Sequence, residues 1–188
     1  MRSAALCALA LLMAGCGAPS SPASQPASSA TAPLPPSAPI TVVASTNVYG
    51  DIVKQVGGDK GAVTSIISDP AQDPHSYEAN TQNQLALSKA KVVVANGGGY
   101  DDFVDTMIKS SGNSSAEIIN VVAVSGRTAP ADGELNEHIW YDFPSVAKIT
   151  DRISAALTKA DPASAATTAN ADAFKNKLQP LIDHEDRH

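Results

Sequence analysis

The sequence predicts an α/β fold: a four-stranded parallel sheet with helices on both faces, followed by a long helix. Three observations predict it. Short β-branched runs alternate with amphipathic stretches from Ile40 onward, and such alternation builds parallel sheets covered by helices. No hairpin joins one run to the next. The run KVVVANGG, Lys91 to Gly98, is almost continuously apolar, as a strand buried on both faces must be.

The elements follow in order. ITVVAST, Ile40 to Thr46, is a β-branched run bounded by turn residues, hence the first strand. NVYGDIVKQVGG carries Val48, Ile52, Val53 and Val56 at helical spacing and stops at Gly57 and Gly58. AVTSII, Ala62 to Ile67, is the second strand. A polar loop, SDPAQDPHSYEAN, leads to a helix over TQNQLALSKA. The third strand, Lys91 to Gly98, precedes a helix over DDFVDTMIKSSG. AEIINVVAV, Ala116 to Val124, reads as the fourth strand. A long polar loop reaches NEHIWYDFP. SVAKITDRISAALTKAD then places Val146, Ile149, Ile153 and Leu157 on one stripe, and PASAATTANADAFKNKLQPLIDH begins a last helix with Pro162 at its first position.

The region before Ile40 belongs to processing. MRS is a short positive start, and AALCALALLMAG is an apolar run below the ~20 residues that span a bilayer. LMAGC resembles a bacterial lipobox, with Met13 where Leu is more usual. That resemblance implies a signal peptide over 1–15 and a lipid on Cys16; an ordinary secretory peptide is the other reading. With Cys7 removed and Cys16 acylated, neither of the two cysteines remains for a disulfide or a metal, so a metal site must use His, Asp and Glu. Residues 16–39 hold seven of the thirteen prolines and no charge. They form a disordered tether, or a glycosylated stalk. The folded lobe is expected over 40–160.

Composition excludes one partner class. The formal net charge is -6 and no basic run occurs, whereas nucleic-acid binding needs clustered Lys and Arg. Enzyme signatures are also missing. There is no GxSxG elbow, and NGGGYDDF lacks both GxGxxG and GK[ST], so its glycines are read as a tight turn ending a strand.

Four histidines are present. His75 lies in the loop after the second strand and His138 in the loop after the fourth. Ligands of parallel sheets sit outside the carboxyl ends of the strands, so both belong to one edge. Neutral imidazole is the commonest metal ligand, and zinc takes about four N or O donors. Nearby carboxylates, Asp73, Glu78, Glu137 and Asp142, are candidates to orient the imidazoles. Taken singly, each histidine also reads as a solvated loop residue. His184 and His188 stand at chelating helical spacing, or form a terminal turn without function.

In this order, STNVYGDIVKQVGGDK, SDPAQDPHSYEAN, KVVVANGGGYDDF and NEHIWYDFP resemble the zinc- and manganese-specific substrate-binding lipoproteins of bacterial ABC importers. The resemblance runs from Ile40 to about Ile182. DPHSYE matches the family's first-ligand loop and HIWYD its second-ligand segment. It implies that His75 and His138 are metal ligands and that Zn2+ or Mn2+ is the transported ligand; Asp73, Glu78 and Asp142 remain candidates to support the imidazoles by their nearness alone. It implies a membrane permease as partner, a lipid anchor through Cys16, and a place on the extracytoplasmic face of the cell membrane. Family members have two α/β lobes joined by a long helix, with the third and fourth ligands on the second lobe. Here the chain stops at His188, so 161–188 is expected to be the beginning of the interlobe helix and the second lobe to be missing.

A binding protein, not an enzyme, is therefore expected. The alternative is a surface lipoprotein, adhesin-like, that keeps the half-fold without transport. A metallohydrolase would need an activated water and a general base, which no spacing here demands.

Overall fold

The structure, a computed structural model, describes residues 38–164, 166–185 and 187. The signal peptide at 1–15, the acylation at Cys16, the tether at 16–39 up to its last two residues, and His188 lie outside the described residues.

The elements are β1 (Ile40–Thr46), α1 (Asn47–Gly57), β2 (Gly61–Ile67), α2 (Thr81–Lys89), β3 (Val92–Ala95), α3 (Phe103–Ser111), β4 (Glu117–Asn120), α4 (Val121–Ser125), α5 (Phe143–Ala160) and α6 (Ala166–Glu185). The four strands form one sheet in the order β2-β1-β3-β4, and every pair is parallel. The direction of winding reverses between β1 and β3. Crevices that hold ligands open at such a switch point, beyond the carboxyl ends of the strands.

Both faces of the sheet are covered. Successive strand side chains point to opposite faces. Ile40, Val42 and Ala44 of β1, with Val92 and Val94 of β3, pack against Tyr49 and Val53 of α1, Ile149, Ile153 and Leu157 of α5, and Leu178 of α6. Val43, Val93 and Ala95 point the other way, onto Leu87 of α2 and Val104 and Met107 of α3. The stripe expected on α5 is real: Val146, Ile149, Ile153 and Leu157 are all buried. Among the described residues no helix is long and apolar enough to cross a membrane.

Three boundaries differ from expectation. The fourth strand stops at Asn120, and its second half is the short helix α4. Asn120 is the reason. It keeps an extended backbone, its side chain accepts the Ala123 N–H at 2.9 Å, and Gly126 closes the turn in the left-handed region at φ 75°. That is an Asn N-cap followed by a glycine stop, and it overrides the β preference of the valines. β3 ends at Ala95 because Gly97, Gly98 and Gly99 all take positive φ and turn the chain away. The last helix starts at Ala166, not Pro162. Asp161 accepts the Ala163 N–H on its side chain and the Ser164 N–H on its carbonyl, which holds Pro162 in a turn.

Candidate metal centre

His75 is set by a short 3-10 turn, Pro74–Ser76, in the loop after β2. Asp73 caps that turn: its Oδ1 accepts the His75 N–H at 3.0 Å and its carbonyl accepts the Ser76 hydroxyl at 3.2 Å. Tyr77 then packs its ring on Phe103 at 4.4 Å and accepts bonds from Asn80 and Asn83, which ties the loop to α2 and α3. The His75 imidazole faces the neighbouring loop, with Nε2 2.9 Å from Glu137 Oε1.

His138 comes from the loop between α4 and α5. Asn136 Oδ1 accepts its backbone N–H at 3.1 Å and stands 2.9 Å from its Nδ1. An amide oxygen only accepts, so Nδ1 carries the proton and Nε2 keeps the lone pair that a metal needs. The following turn, Ile139–Tyr141, buries Ile139 and runs directly into α5.

Tyr100 joins the two. Its ring meets His75 edge-on at 5.5 Å and His138 at 5.9 Å, and lies 5.1 Å from Trp140. Trp140 in turn touches both His138, at 5.1 Å, and the buried Tyr49, at 6.3 Å. Tyr100 reaches this place because the three glycines fold the chain back after β3. A Cβ at Gly98 would stand 3.1 Å from Val122 and 3.2 Å from Leu135, so glycine also allows the close approach of the α4–α5 loop. Asp101 fixes the turn from beneath, its two oxygens accepting the N–H groups of Asn96 at 2.6 Å and Gly97 at 2.8 Å.

Asn96 is wholly buried and connects three segments. Its Nδ2 donates to the carbonyls of Gly97 and Glu137, both at 2.9 Å, and its Oδ1 accepts the Tyr49 hydroxyl. Burial pushes the Asp101 carboxyl up from its ordinary value, while the backbone N–H bonds pull it down. Burial also pushes Tyr49 and Tyr100 up, with Asp101 adding to both and Glu137 to Tyr100, so both phenols keep their protons.

The carboxylates divide differently from the sequence expectation. Glu137 is the one against an imidazole. Asp73 supports His75 through the backbone, not the ring. Glu78 is exposed after the turn. Asp142 belongs to another pair: Arg127 donates to both its oxygens, Nε at 2.8 Å and Nη2 at 2.6 Å, and Ser145 donates to it as well. The Arg127 bonds hold the Asp142 carboxyl below its ordinary value. A depressed folded value contributes stability above the unfolded carboxylate range and loses it as pH falls through the folded value. Arg127→Ala is therefore expected to lower stability at neutral pH and to converge on the wild type in acid. Urea unfolding at a series of pH values checks it; a gap that persists in acid would refute the pairing argument.

The arrangement brings two imidazoles and one carboxylate to the same end of the sheet. Among the described residues, no three His, Cys, Asp or Glu side chains are gathered closely enough to hold an ion together. A cleft of about 470 Å3 opens beside His138, lined among others by Asn136, Tyr141 and Glu185. Glu185 thus comes to that edge from the end of α6. Asn136, Tyr100 and Asn96 were not singled out from sequence. The position of Asn136, two residues before a histidine in a polar loop, is the usual place for a side chain that caps a backbone N–H.

Residues 42–186 match the family described as ZnuA, zinc-uptake complex component A, periplasmic. A manganese-binding lipoprotein, MntA, of Halalkalibacterium halodurans is 28% identical over 179 residues, covering 92% of this chain and 54% of that protein. The manganese ABC transporter substrate-binding lipoprotein scaA of Streptococcus gordonii is 29% identical over 157 residues, covering 77% and 50%. Among solved structures, the Mn-bound periplasmic metal binding protein from candidatus liberibacter asiaticus superposes with a TM-score of 0.66 at 23% identity, covering 76% of this chain and 54% of that one. This likeness shows the fold. The chain spans about half the length of the curated relatives it matches.

Proposed function

We propose a function for this chain from one premise: it belongs to the ZnuA family, component A of periplasmic zinc-uptake complexes. It captures Zn2+ or Mn2+ outside the cytoplasmic membrane for delivery to an ABC permease. It is a binding protein and not an enzyme. The observation that carries this reading is the convergence of His75 and His138, from loops after β2 and α4, on the one Tyr100 ring.

The rest of the chain takes its role from that site. Residues 1–15 direct export, Cys16 carries the lipid, and 16–39 give the folded lobe reach from the membrane surface. Residues 40–160 form the metal-binding lobe, and α6 (Ala166–Glu185) packs against it through Ala171 and Leu178. Two imidazoles supply half of the about four donors that zinc takes. Imidazole suits zinc well, whereas manganese prefers more oxygen, so the histidines by themselves favour zinc.

The test is calorimetric titration of the full chain with zinc and with manganese, beside His75→Ala and His138→Ala. One equivalent of zinc is expected to bind. Each substitution is expected to weaken it by at least the roughly 10- to 100-fold that loss of a supporting residue costs a metal site. Equal binding by all three proteins would sink the proposal.

A further inference from the structure

We infer that Glu137 is a metal ligand and that the cation enters between His75 Nε2 and Glu137 Oε1. The inference rests on the metal-capture reading and adds to it an oxygen donor that the sequence did not single out as a ligand.

The spacing is the first argument. Two donors about 2.1 Å from one ion stand roughly 3.0 to 3.4 Å apart, at right-angled to tetrahedral geometry. His75 Nε2 and Glu137 Oε1 are 2.9 Å apart. An ion takes the place of the shared proton with a small outward shift of either side chain, and no loop has to be rebuilt.

Preorganisation is the second. The Glu137 backbone is gripped on its carbonyl by Asn96 Nδ2 at 2.9 Å and by the Ile139 N–H at 2.8 Å. Asn96 itself is anchored in the core by the Tyr49 hydroxyl. Gly98 and Gly99 lie against the Glu137 side chain, where a Cβ would come to 3.9 Å of its Cβ and Oε2 respectively. A ligand held from beneath loses less entropy on binding than one on a free loop.

The third argument is the partner Glu137 has. Other partly buried carboxylates at the surface are matched by cations of fixed charge: Asp142 by Arg127, and Glu117 by Arg152 at 2.6 Å and Lys159 at 2.9 Å. Glu137, its side chain only 20% exposed, faces an imidazole. That pair is the combination of donors a divalent ion takes. The three donors are not yet in one coordination sphere among the described residues, so loading brings the His138 ring toward the His75–Glu137 pair. Two nitrogens and one anionic oxygen then come from this lobe, a set that serves manganese better than imidazoles alone.

The experiment is titration of the full chain and of Glu137→Gln and Glu137→Asp with zinc chloride and manganese chloride, with His75→Ala and His138→Ala as references. Thermal unfolding without metal accompanies each. Glu137→Gln is expected to weaken both metals by about tenfold or more, manganese more than zinc. Glu137→Asp keeps the charge but withdraws the oxygens by one methylene, and falls between. If Gln disturbs the metal-free melting, Asp decides alone: weaker binding supports ligation and unchanged binding overturns it. Glu137→Gln binding as tightly as the wild type, or more tightly, overturns the inference and makes Glu137 a mere placeholder on His75. That pattern leaves the histidine variants weakened. If they too bind normally, the metal-capture reading itself has failed.

Discussion

Asn96→Leu is expected to destabilise the metal-free chain by about 3–5 kcal/mol. Leucine keeps the branching of asparagine, but its methyls need about 3.5–4.0 Å where the amide stands 2.9 Å from two carbonyls, so crowding adds to the polar loss. The substitution strips the Tyr49 hydroxyl, which is fully buried, of its acceptor. It also removes the donor to the carbonyls of Gly97 and Glu137. A buried group left without its partner costs about 1–3 kcal/mol, which falls on the Tyr49 hydroxyl; the two carbonyls each lose one bond, about 0.5–1.5 kcal/mol apiece, and keep another from the N–H groups of Tyr100 and Ile139. Against a usual total of about 5–15 kcal/mol, that is a large part of the stability. Urea unfolding measures it. Adding Tyr49→Phe to Asn96→Leu removes the orphaned hydroxyl and is expected to restore about 1–2 kcal/mol, a coupling that a double-mutant cycle resolves. A loss under about 1 kcal/mol in Asn96→Leu would show that water replaces the amide. The same bonds align the Glu137 loop, so metal binding is expected to weaken together with stability.

This dependence explains why the fold was more legible than the site. β1 could be read because its alternate residues enter two cores, Val42 one and Val43 the other, and both need apolar, β-branched side chains. The α5 stripe was legible for the same reason. AEIINVVAV was misread because its composition favours a strand, whereas one capping side chain, Asn120, decides the outcome locally. His75 and His138 could be assigned to one end of the sheet because parallel topology puts the loops after all four strands there, even those after the two outer strands, β2 and β4. Partner choice could not be read. Glu137 and Asp142 flank the same HIWY segment with similar chemistry, yet one meets His75 and the other Arg127. That division depends on how two loops cross in space, and no spacing along the chain encodes it. Tyr100 was hidden likewise, because it takes three consecutive positive-φ glycines to bring its ring into contact with both imidazoles.

Leu157→Ala is expected to cost about 3–5 kcal/mol, in the upper part of the range for this substitution. Leu157 is fully buried. Its neighbour across the helix contact is Gly57 at the end of α1, where a Cβ would stand 3.3 Å from Leu157 Cδ1. A glycine has no side chain to lean into the space that alanine leaves, so the cavity closes only if the helices move. Such movement is resisted, because α5 packs on α1, α6 and the sheet at once. Leu157 is fourteen residues along α5 from Phe143, about 21 Å at the rise of an α-helix, whereas the His138 turn lies at the other end. Stability and binding should therefore separate: the urea midpoint falls sharply, and zinc affinity measured well below that midpoint stays at the wild-type value. Loss of affinity in parallel with stability would mean that α5 transmits its packing to the His138 loop as one rigid unit. The metal edge and the hydrophobic core would then be a single cooperative structure instead of a site resting on a scaffold.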